Sequence, residues 1–273
     1  MPLLAFAVLL NACAVVRAPE HTRIALFAPF EGRYREIGYN ALYAARLALS
    51  EAKVETVDLL PVDTGGTEAI NHAKALAQDP LVLAAVVLGY DGTSPEVLAA
   101  FGDIPVLIVG DWGAAPRNTS TFIFSYQQIE KQITSPSRIS ITDAAQITAP
   151  VIGGGVFALE GFAKLRSSLD GVTVLSSGSL PDADFITRYQ NGDPFAPTPG
   201  LLATLTYDAT RFATVAMQRG SRDSTRVTLE GGVCLPCINN TNGAISFTNG
   251  YWDQAPIHSY HYVNGSLTED IVK

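Results

Sequence analysis

The chain has 273 residues, of which 47% are hydrophobic and 16% are charged, so it can bury a core and lacks the composition of a disordered protein. Its formal net charge is −8 without a dense cluster of Lys and Arg, so nucleic acid is not an expected partner. No apolar run reaches the ~20 residues that a membrane-spanning helix requires. The length suits two modest lobes or one large domain.

Residues 1–19 are predicted to be an export segment. Pro2 to Leu10 is a continuous apolar run, and Asn11-Ala12-Cys13 follows it directly. This order resembles a bacterial lipoprotein signal, in which the cysteine is acylated and becomes the mature N-terminus. The alternative is a buried first strand or helix. We expect an extracytoplasmic protein, either periplasmic or attached to the membrane only by a lipid on Cys13.

The segment from Ile24 to Ala52 predicts a strand, a loop and a helix. Ile24 to Ala28 is a short apolar run typical of a buried strand, and a polar loop then continues to Gly38. Beyond that glycine, apolar residues recur every three or four positions, which is the spacing of one helix face.

The same alternation continues through the first half of the chain. Apolar runs predict further strands, at residues 54–62, 81–88, 104–109 and 121–124. Helical periodicity lies between them, over residues 67–78 and from Pro95 onward. Such alternation predicts parallel strands with right-handed crossovers, so the loops after the first four strands should lie at one edge of the sheet. In open parallel sheets, ligands bind at that edge.

These segments resemble the branched-chain amino-acid-binding proteins of ABC transporters, which are type I periplasmic binding proteins. The resemblance rests on Ala28-Pro29 with Gly32 and Gly38, on the Asp-ended second strand, and on Asp79-Pro80 before an apolar strand. Later, Tyr207-Asp208-Ala209 resembles the helix that returns to the first lobe. The resemblance implies an α/β fold of two lobes, built on parallel doubly wound sheets.

The second lobe is predicted to be reduced. Its family counterpart has another βαβα stretch where this chain has only a short polar segment between Ser125 and Ile139. We expect the first lobe to contain residues 20–125 and about 195–247. The second lobe would contain about 126–194 and 248–273. A sheet shortened in this way should leave a strand edge that the protein must cover or charge.

The resemblance also implies a ligand site between the lobes. A family hydroxyl that holds the ligand carboxylate corresponds to Thr93, with Ser94 beside it, and backbone amides in such loops can bind an anion. The second lobe normally supplies an acid for the ligand ammonium, but Gly155 stands there. The predicted ligand-binding residues are Ile37, Thr93, Ser94, Trp112, Gly113, Ala114 and Gly155.

Several of these positions leave alternatives open. Ala114 stands where a threonine hydroxyl is usual, so the carboxylate site keeps only part of its family pattern. Trp112 offers an aromatic face to an apolar or cationic ligand, or it packs at the sheet edge. Asp91 and Asp111 flank the expected cleft, although acids in loops are commonly solvated turn formers.

Cys234 and Cys237 form a C-x-x-C motif that could be a redox centre, half of a metal site or a local disulfide. A redox dithiol is typically placed at a helix N-terminus, whereas turn-forming residues follow this motif. No second Cys or His pair follows at zinc spacing. In an exported protein, a disulfide that holds a loop is the favoured interpretation.

The sequence shows no catalytic constellation, and we expect neither a cofactor, a metal nor an enzyme activity. His258 and His261 are three residues apart, which places them on opposite faces of a strand. The favoured function is a solute-binding protein that delivers an amino acid or similar small polar ligand to an ABC transporter permease. The alternatives are a ligand-sensing or accessory lipoprotein of the same fold, and a thiol-disulfide protein that uses Cys234 and Cys237.

Overall fold

The computed structural model describes residues 21–116, 118–231 and 241–270. The predictions for residues 1–19, including Cys13, and for Cys234 and Cys237 lie outside these residues. Among the described residues, no helix combines the length and the apolar character needed to cross a bilayer.

A seven-stranded sheet forms the larger part of the protein. Its strands are β1 (Thr22–Ala28), β2 (Val57–Asp63), β3 (Val82–Val87), β4 (Val106–Val109), β5 (Thr121–Phe124), β8 (Phe247–Thr248) and β9 (Tyr251–Trp252). They lie in the order β2-β1-β3-β4-β5-β9-β8, with all neighbours parallel except the β8–β9 hairpin. Every residue of β3, β4 and β5 is buried, as the continuous apolar runs predict.

A four-stranded sheet forms the smaller part. It contains β6 (Val151–Gly153), β7 (Val172–Ser176), β10 (His258–Val263) and β11 (Ser266–Glu269), in the order β11-β10-β7-β6. Only β6 and β7 are parallel, because β10 and β11 return as an antiparallel hairpin. This sheet is therefore mixed, whereas the sequence predicts parallel sheets in both lobes.

Nine α-helices connect these strands in the part of the chain that the structure describes. They are α1 (Arg35–Ala52), α2 (Ala69–Gln78), α3 (Pro95–Ala100), α4 (Gln127–Gln132), α5 (Ile141–Gln146), α6 (Glu160–Leu165), α7 (Ala183–Asn191), α8 (Leu201–Ala216) and α9 (Arg222–Glu230). The polar segment after Ser125 thus contains the short helix α4, which the sequence pattern does not predict.

The division between the lobes differs from the predicted one at its C-terminal end. Residues up to 247 are predicted to belong to the first lobe and residues 248–273 to the second. However, Tyr251 of β9 pairs with Ile123 of β5, so the whole hairpin from Phe247 to Trp252 belongs to the larger sheet. The first strand of this hairpin, β8, has only two residues.

The exposed edge of the smaller sheet is covered by the shortened segment itself. The amides of Thr134 and Ser135 donate to the carbonyl oxygen of Ile152 in β6, over 2.9 and 3.2 Å. The Ile152 amide in turn donates to Thr134 Oγ1 over 2.9 Å. The segment that replaces the missing strands therefore pairs with the edge their absence exposes, as sheet edges generally require.

One continuous apolar core joins the two sheets. It contains strand residues of the larger sheet, such as Phe27 and Val86, together with Phe157, Phe162 and Val174 of the smaller part. The smaller sheet is therefore stabilised by contact with the larger one as well as by its own packing.

The helix signature Tyr207-Asp208-Ala209 also has a structural role. Asp208 is fully buried in α8, and its carboxylate accepts hydrogen bonds from the amides of Thr241 and Asn242 and from Asn242 Nδ2, each over 2.8 Å. Asn242 Oδ1 in turn accepts from Ser179, which follows the smaller sheet. These bonds fasten the connection between the two parts of the molecule.

Candidate functional site

The candidate site lies at the edge of the larger sheet where β1, β2, β3 and β4 end. These strands are parallel neighbours, so the loops at Pro29, Thr64, Gly89 and Gly110 converge there as predicted. Asp63 ties the first two loops together, because its carboxylate accepts from the Phe30 amide over 2.6 Å and from the Gly65 amide over 3.1 Å. These bonds fix the first two loops relative to each other. We call the four loops at Pro29, Thr64, Gly89 and Gly110 the platform.

Gly38 allows the first helix to approach this platform. A Cβ atom at this position would lie 2.2 Å from the carbonyl oxygen of Pro29, a distance that no side chain tolerates. The Gly38 amide instead donates to that oxygen over 3.2 Å. Gly38, one of the residues that carry the family resemblance, therefore allows the start of α1 to pack against the loop after β1.

Thr93 and Ser94 stabilise the loop that follows β3. Thr93 is 1% exposed, and its hydroxyl donates to the carbonyl oxygen of Gly89 over 2.8 Å. Ser94 Oγ accepts from the Val97 amide over 3.4 Å and caps helix α3. Neither residue reaches the wall of the two pockets described below, and their contact with a ligand stays a prediction.

Trp112 packs inside the protein. It is 1% exposed, and its indole N–H donates to the carbonyl oxygen of Val109 over 2.6 Å. Its ring meets Tyr90 edge to face, with 5.3 Å between ring centroids. A Cβ at Gly155 would lie 4.0 Å from the tip of the indole. Of the two interpretations offered by the sequence, this geometry favours packing, because the side chain is almost fully buried and its N–H is already hydrogen-bonded.

Of the four other predicted ligand-binding residues, two line a pocket and two are buried in the protein core. Gly113 and Gly155 line a small pocket between the loops and the smaller part of the protein. Ile37 and Ala114 are buried at 1% and 8% exposure and belong to the apolar core. As ligand contacts, all four stay predictions.

A pocket of about 250 Å³ opens beside this small one, at the ends of β1, β2 and β3. It is lined by residues of the platform and of the segment that replaces the missing strands. These residues are Pro29, Tyr34, Thr64, Gly89, Tyr90, Asp91, Arg138, Ile139 and Ser140. Because Tyr90 and Ile139 also line the small pocket, the two spaces are neighbours on one cleft.

Arg138 is the functional candidate that the sequence pattern does not reveal. Its guanidinium donates to the carbonyl oxygens of Tyr90 over 2.5 Å and of Trp112 over 3.4 Å. The guanidinium carbon also lies 5.1 Å from the centroid of the Tyr90 ring. The sequence gives one indication of its role, because Arg138 is the last residue of the shortened segment. No pattern in the neighbouring residues indicates that this segment folds back over the platform.

Asp111 lines the small pocket together with Glu130. Its carboxylate accepts a hydrogen bond from the Ser125 hydroxyl. Burial raises the pKa of Asp111 to about 7; the bond from Ser125 opposes this shift and Glu130 adds to it. Burial also raises the pKa of Glu130. The acid stands against Gly154, since a Cβ there would lie 3.3 Å from Asp111 Cβ.

A set of contacts from the start of α1 holds the smaller part over the cleft. The Glu36 carboxylate accepts from the amides of Glu160 over 2.7 Å and Gly161 over 3.1 Å. The Tyr34 hydroxyl accepts from the Ile141 amide over 3.2 Å. Burial raises the pKa of Glu36, and the two amide bonds oppose the shift. We call this contact between the two parts the closed arrangement.

The two strand histidines pair with separate acids, which agrees with the prediction that they lie on opposite faces. His258 Nδ1 lies 2.6 Å from Glu269 Oε1, and His261 Nδ1 lies 2.5 Å from Asp270 Oδ1. Among the described residues, no group of three His, Cys, Asp or Glu is arranged to hold a metal ion.

The sequence matches no protein-family model and no curated protein. The structure, however, is similar to many solved structures. One is the substrate-binding protein LivJ of a branched-chain amino acid transporter from Streptococcus pneumoniae, solved with isoleucine. The TM-score is 0.68 at 12% identity, covering 92% of this chain and 100% of that chain.

Two further structures extend the comparison. The leucine-binding protein LivK from Thermotoga maritima gives a TM-score of 0.62 at 15% identity, covering 91% of this chain and 97% of that chain. A solute-binding protein of an ABC transporter from R. palustris, solved with benzoate, gives 0.62 at 10% identity, covering 91% and 95%. These similarities confirm the type I periplasmic-binding-protein fold that the sequence predicts.

Proposed function

We propose that this chain is an extracytoplasmic solute-binding protein of an ABC transporter, which binds an amino acid or similar small polar ligand and presents it to a permease. The observation that carries the proposal is the cleft at the carboxyl ends of β1 to β4. Two neighbouring pockets lie there, beneath a smaller part that is fastened over them. Ligands of open parallel sheets bind at this edge.

The structural neighbours support this assignment by what they contain. LivJ holds isoleucine, and the R. palustris protein holds benzoate, so the same fold accommodates ligands of different charge and shape. A binding role also accords with the site, whose polar side chains hold loops in place rather than form a nucleophile and base pair.

The mechanism is a shift between open and closed populations. Ligand contacts made by both parts would favour the closed arrangement, which Glu36 and Tyr34 already stabilise. Because the apolar core is continuous between the sheets, we expect a narrower opening than two independent lobes would allow. Anchoring by an acylated Cys13 completes the proposal; mass spectrometry of the mature protein would detect it, and an intact Met1 would contradict it.

A thermal-shift screen tests the binding function. Amino acids, their amides and short-chain acids are added to the full chain, because a ligand that binds only the folded form raises the melting temperature. We expect at least one of these classes to raise it in a saturable manner. A flat response throughout the panel would contradict a solute-binding role. Ligand-dependent association with a sensor rather than a permease would instead support the sensing alternative.

A further inference from the structure

We propose that the pocket of about 250 Å³ receives the carboxylate of a small organic acid, between the guanidinium of Arg138 and the hydroxyl of Thr64. The ligand requires no ammonium group. This inference rests on the proposed solute-binding function and names its ligand class. It places the carboxylate at the ends of β1, β2 and β3 rather than at Thr93 and Trp112, whose polar groups the protein itself uses.

Arg138 supplies the positive charge. Its guanidinium has five N–H donors, and backbone carbonyls of Tyr90 and Trp112 take two of them. Within the part of the chain that the structure describes, no Asp or Glu forms a salt bridge with Arg138. The carbonyls fix the side chain on the pocket wall, and its remaining donors match the planar geometry of a carboxylate.

Thr64 supplies an unused hydroxyl. It is 1% exposed and lines the pocket, and its Oγ1 has no hydrogen-bond partner among the described residues. Its backbone is fixed, because the Thr64 amide donates to the Ala28 carbonyl oxygen over 3.1 Å. A buried hydroxyl without a partner is costly, so a ligand oxygen that accepts its proton would remove that cost.

The pocket offers little to an ammonium group. Among the described residues that line it, only Asp91 carries a carboxylate, and this residue is exposed to solvent, so an ion pair there would be weak. Asp111 lines the neighbouring pocket and already accepts from Ser125. Gly155 stands where the family resemblance implies a partner acid. Pro29, Tyr90 and Ile139 provide apolar contact for a hydrocarbon body.

Acid and amide pairs test the charge requirement on the full chain. Isothermal titration calorimetry would compare 4-methylpentanoate with 4-methylpentanamide, and benzoate with benzamide. We expect the acid of at least one pair to bind at least tenfold more tightly than its amide, because the amide leaves Arg138 without an anion. Equal affinity of acid and amide in both pairs would overturn the proposal.

The same substitution, threonine to valine, at two positions tests the role of the Thr64 hydroxyl. Thr64→Val removes it with little change of shape and should weaken binding of the acid about fivefold or more, while the melting temperature of the unliganded protein stays the same or rises. Thr210→Val is the matched control, because Thr210 Oγ1 in α8 is also buried without a partner but lies outside the pocket. It should affect the melting temperature alone. Unchanged acid affinity in Thr64→Val would overturn the role of this hydroxyl.

Arg138 is tested by the ratio of acid to amide affinity, because a purely structural role would not change that ratio. Arg138→Met should reduce the ratio to about one, and Arg138→Lys should restore part of it. An unchanged ratio in Arg138→Met would show that the guanidinium only fastens the segment to the platform.

The ammonium question is decided by L-leucine, which is 4-methylpentanoate with an added ammonium. We expect leucine to bind no more tightly than 4-methylpentanoate, and Asp91→Asn to leave the acid affinity unchanged or improved. Tighter binding of leucine that Asp91→Asn abolishes would overturn this part of the proposal. If other compounds of the thermal-shift screen bind while no carboxylate does, this inference fails and the solute-binding function stands. If nothing binds, both fail.

Discussion

The two sheets of this protein differ in how their residues are buried. In the larger sheet, β3, β4 and β5 are buried at every residue, so these strands are covered on both faces. In the smaller sheet, β11 is largely exposed and β10 buries only Tyr260 fully. The smaller sheet gains its burial from residues such as Phe157 and Phe162, which join the core of the larger part.

This difference explains how a shortened second lobe persists. A sheet of four short strands has little apolar area of its own, and such units are marginal in isolation. Here the missing strands are replaced by a segment that pairs with β6, and by contact with the larger sheet. The smaller part is therefore both the cover of the cleft and a dependent element of the fold.

The largest expected effect comes from the shared core. Phe162 in α6 is fully buried, with its ring centroid 4.9 Å from that of Phe157. Phe162→Ala should lower the free energy of unfolding by ~3–5 kcal/mol, because it leaves a cavity in a close-packed interior. Urea denaturation measures the loss. Leu165→Ala, at a residue of the same helix that is 55% exposed, is the control and should change stability by less than ~0.5 kcal/mol. Equal small effects would mean that the smaller part packs only loosely.

The second largest expected effect is the pH dependence that Asp111 gives to the free energy of unfolding. Because burial raises its pKa to about 7, the folded protein holds this proton more tightly than the unfolded chain. Its contribution to stability is complete below the ordinary pKa of an aspartate, and it is lost as the pH rises through about 7. Asp111→Asn is neutral at every pH and should be about 4 kcal/mol more stable than the wild type at pH 8, but nearly equal to it at pH 4.

Melting temperatures measured from pH 4 to pH 8 would show this divergence. Asp253→Asn, at an exposed position of the loop before β10, provides the control and should give a curve parallel to that of the wild type. A parallel curve for Asp111→Asn as well would mean that water reaches the small pocket freely.

Hydrogen exchange compares the two regions directly. Amides in residues 140–180 should exchange at least tenfold faster than those in residues 23–110, which corresponds to ~1.4 kcal/mol of easier local opening. The physical reason is that the smaller sheet can detach while the fully buried strands of the larger sheet stay closed. Equal protection in both regions would show that the continuous core makes the molecule one unit that opens only as a whole.

The smallest expected effect lies at the contact that holds the smaller part over the cleft. Glu36→Gln keeps one acceptor oxygen for the amides of Glu160 and Gly161, while removing a charge whose burial is unfavourable. We expect global stability to change by less than ~1 kcal/mol, while these two amides exchange faster. Glu31→Gln, at an exposed residue shortly before α1, is the control. Unaltered exchange at Gly161 would assign the closed arrangement to apolar packing alone.

The order of strands and helices could be predicted from the sequence because its causes are local. A continuous apolar run such as Leu81 to Leu88 specifies a strand buried on both faces, and three-to-four spacing specifies a helix, wherever the rest of the chain lies. The strand at Thr121–Phe124 has the predicted bounds. The convergence of four loops on one edge follows from that order, because parallel strands all end on the same side.

The identity of the pocket walls was decided only by tertiary structure. Trp112 turns inward because the carbonyl oxygen of Val109 accepts a hydrogen bond from its indole N–H and the Tyr90 ring packs against it, and loop composition does not encode these contacts. Arg138 reaches Tyr90 over 48 residues of chain, and Glu36 reaches Glu160 over 124. Such contacts depend on how the shortened segment pairs with β6 and folds back, and that packing is non-local. The sequence by itself therefore determined the fold and the sheet edge at which the candidate cleft lies, whereas the tertiary structure decided which side chains face the cleft.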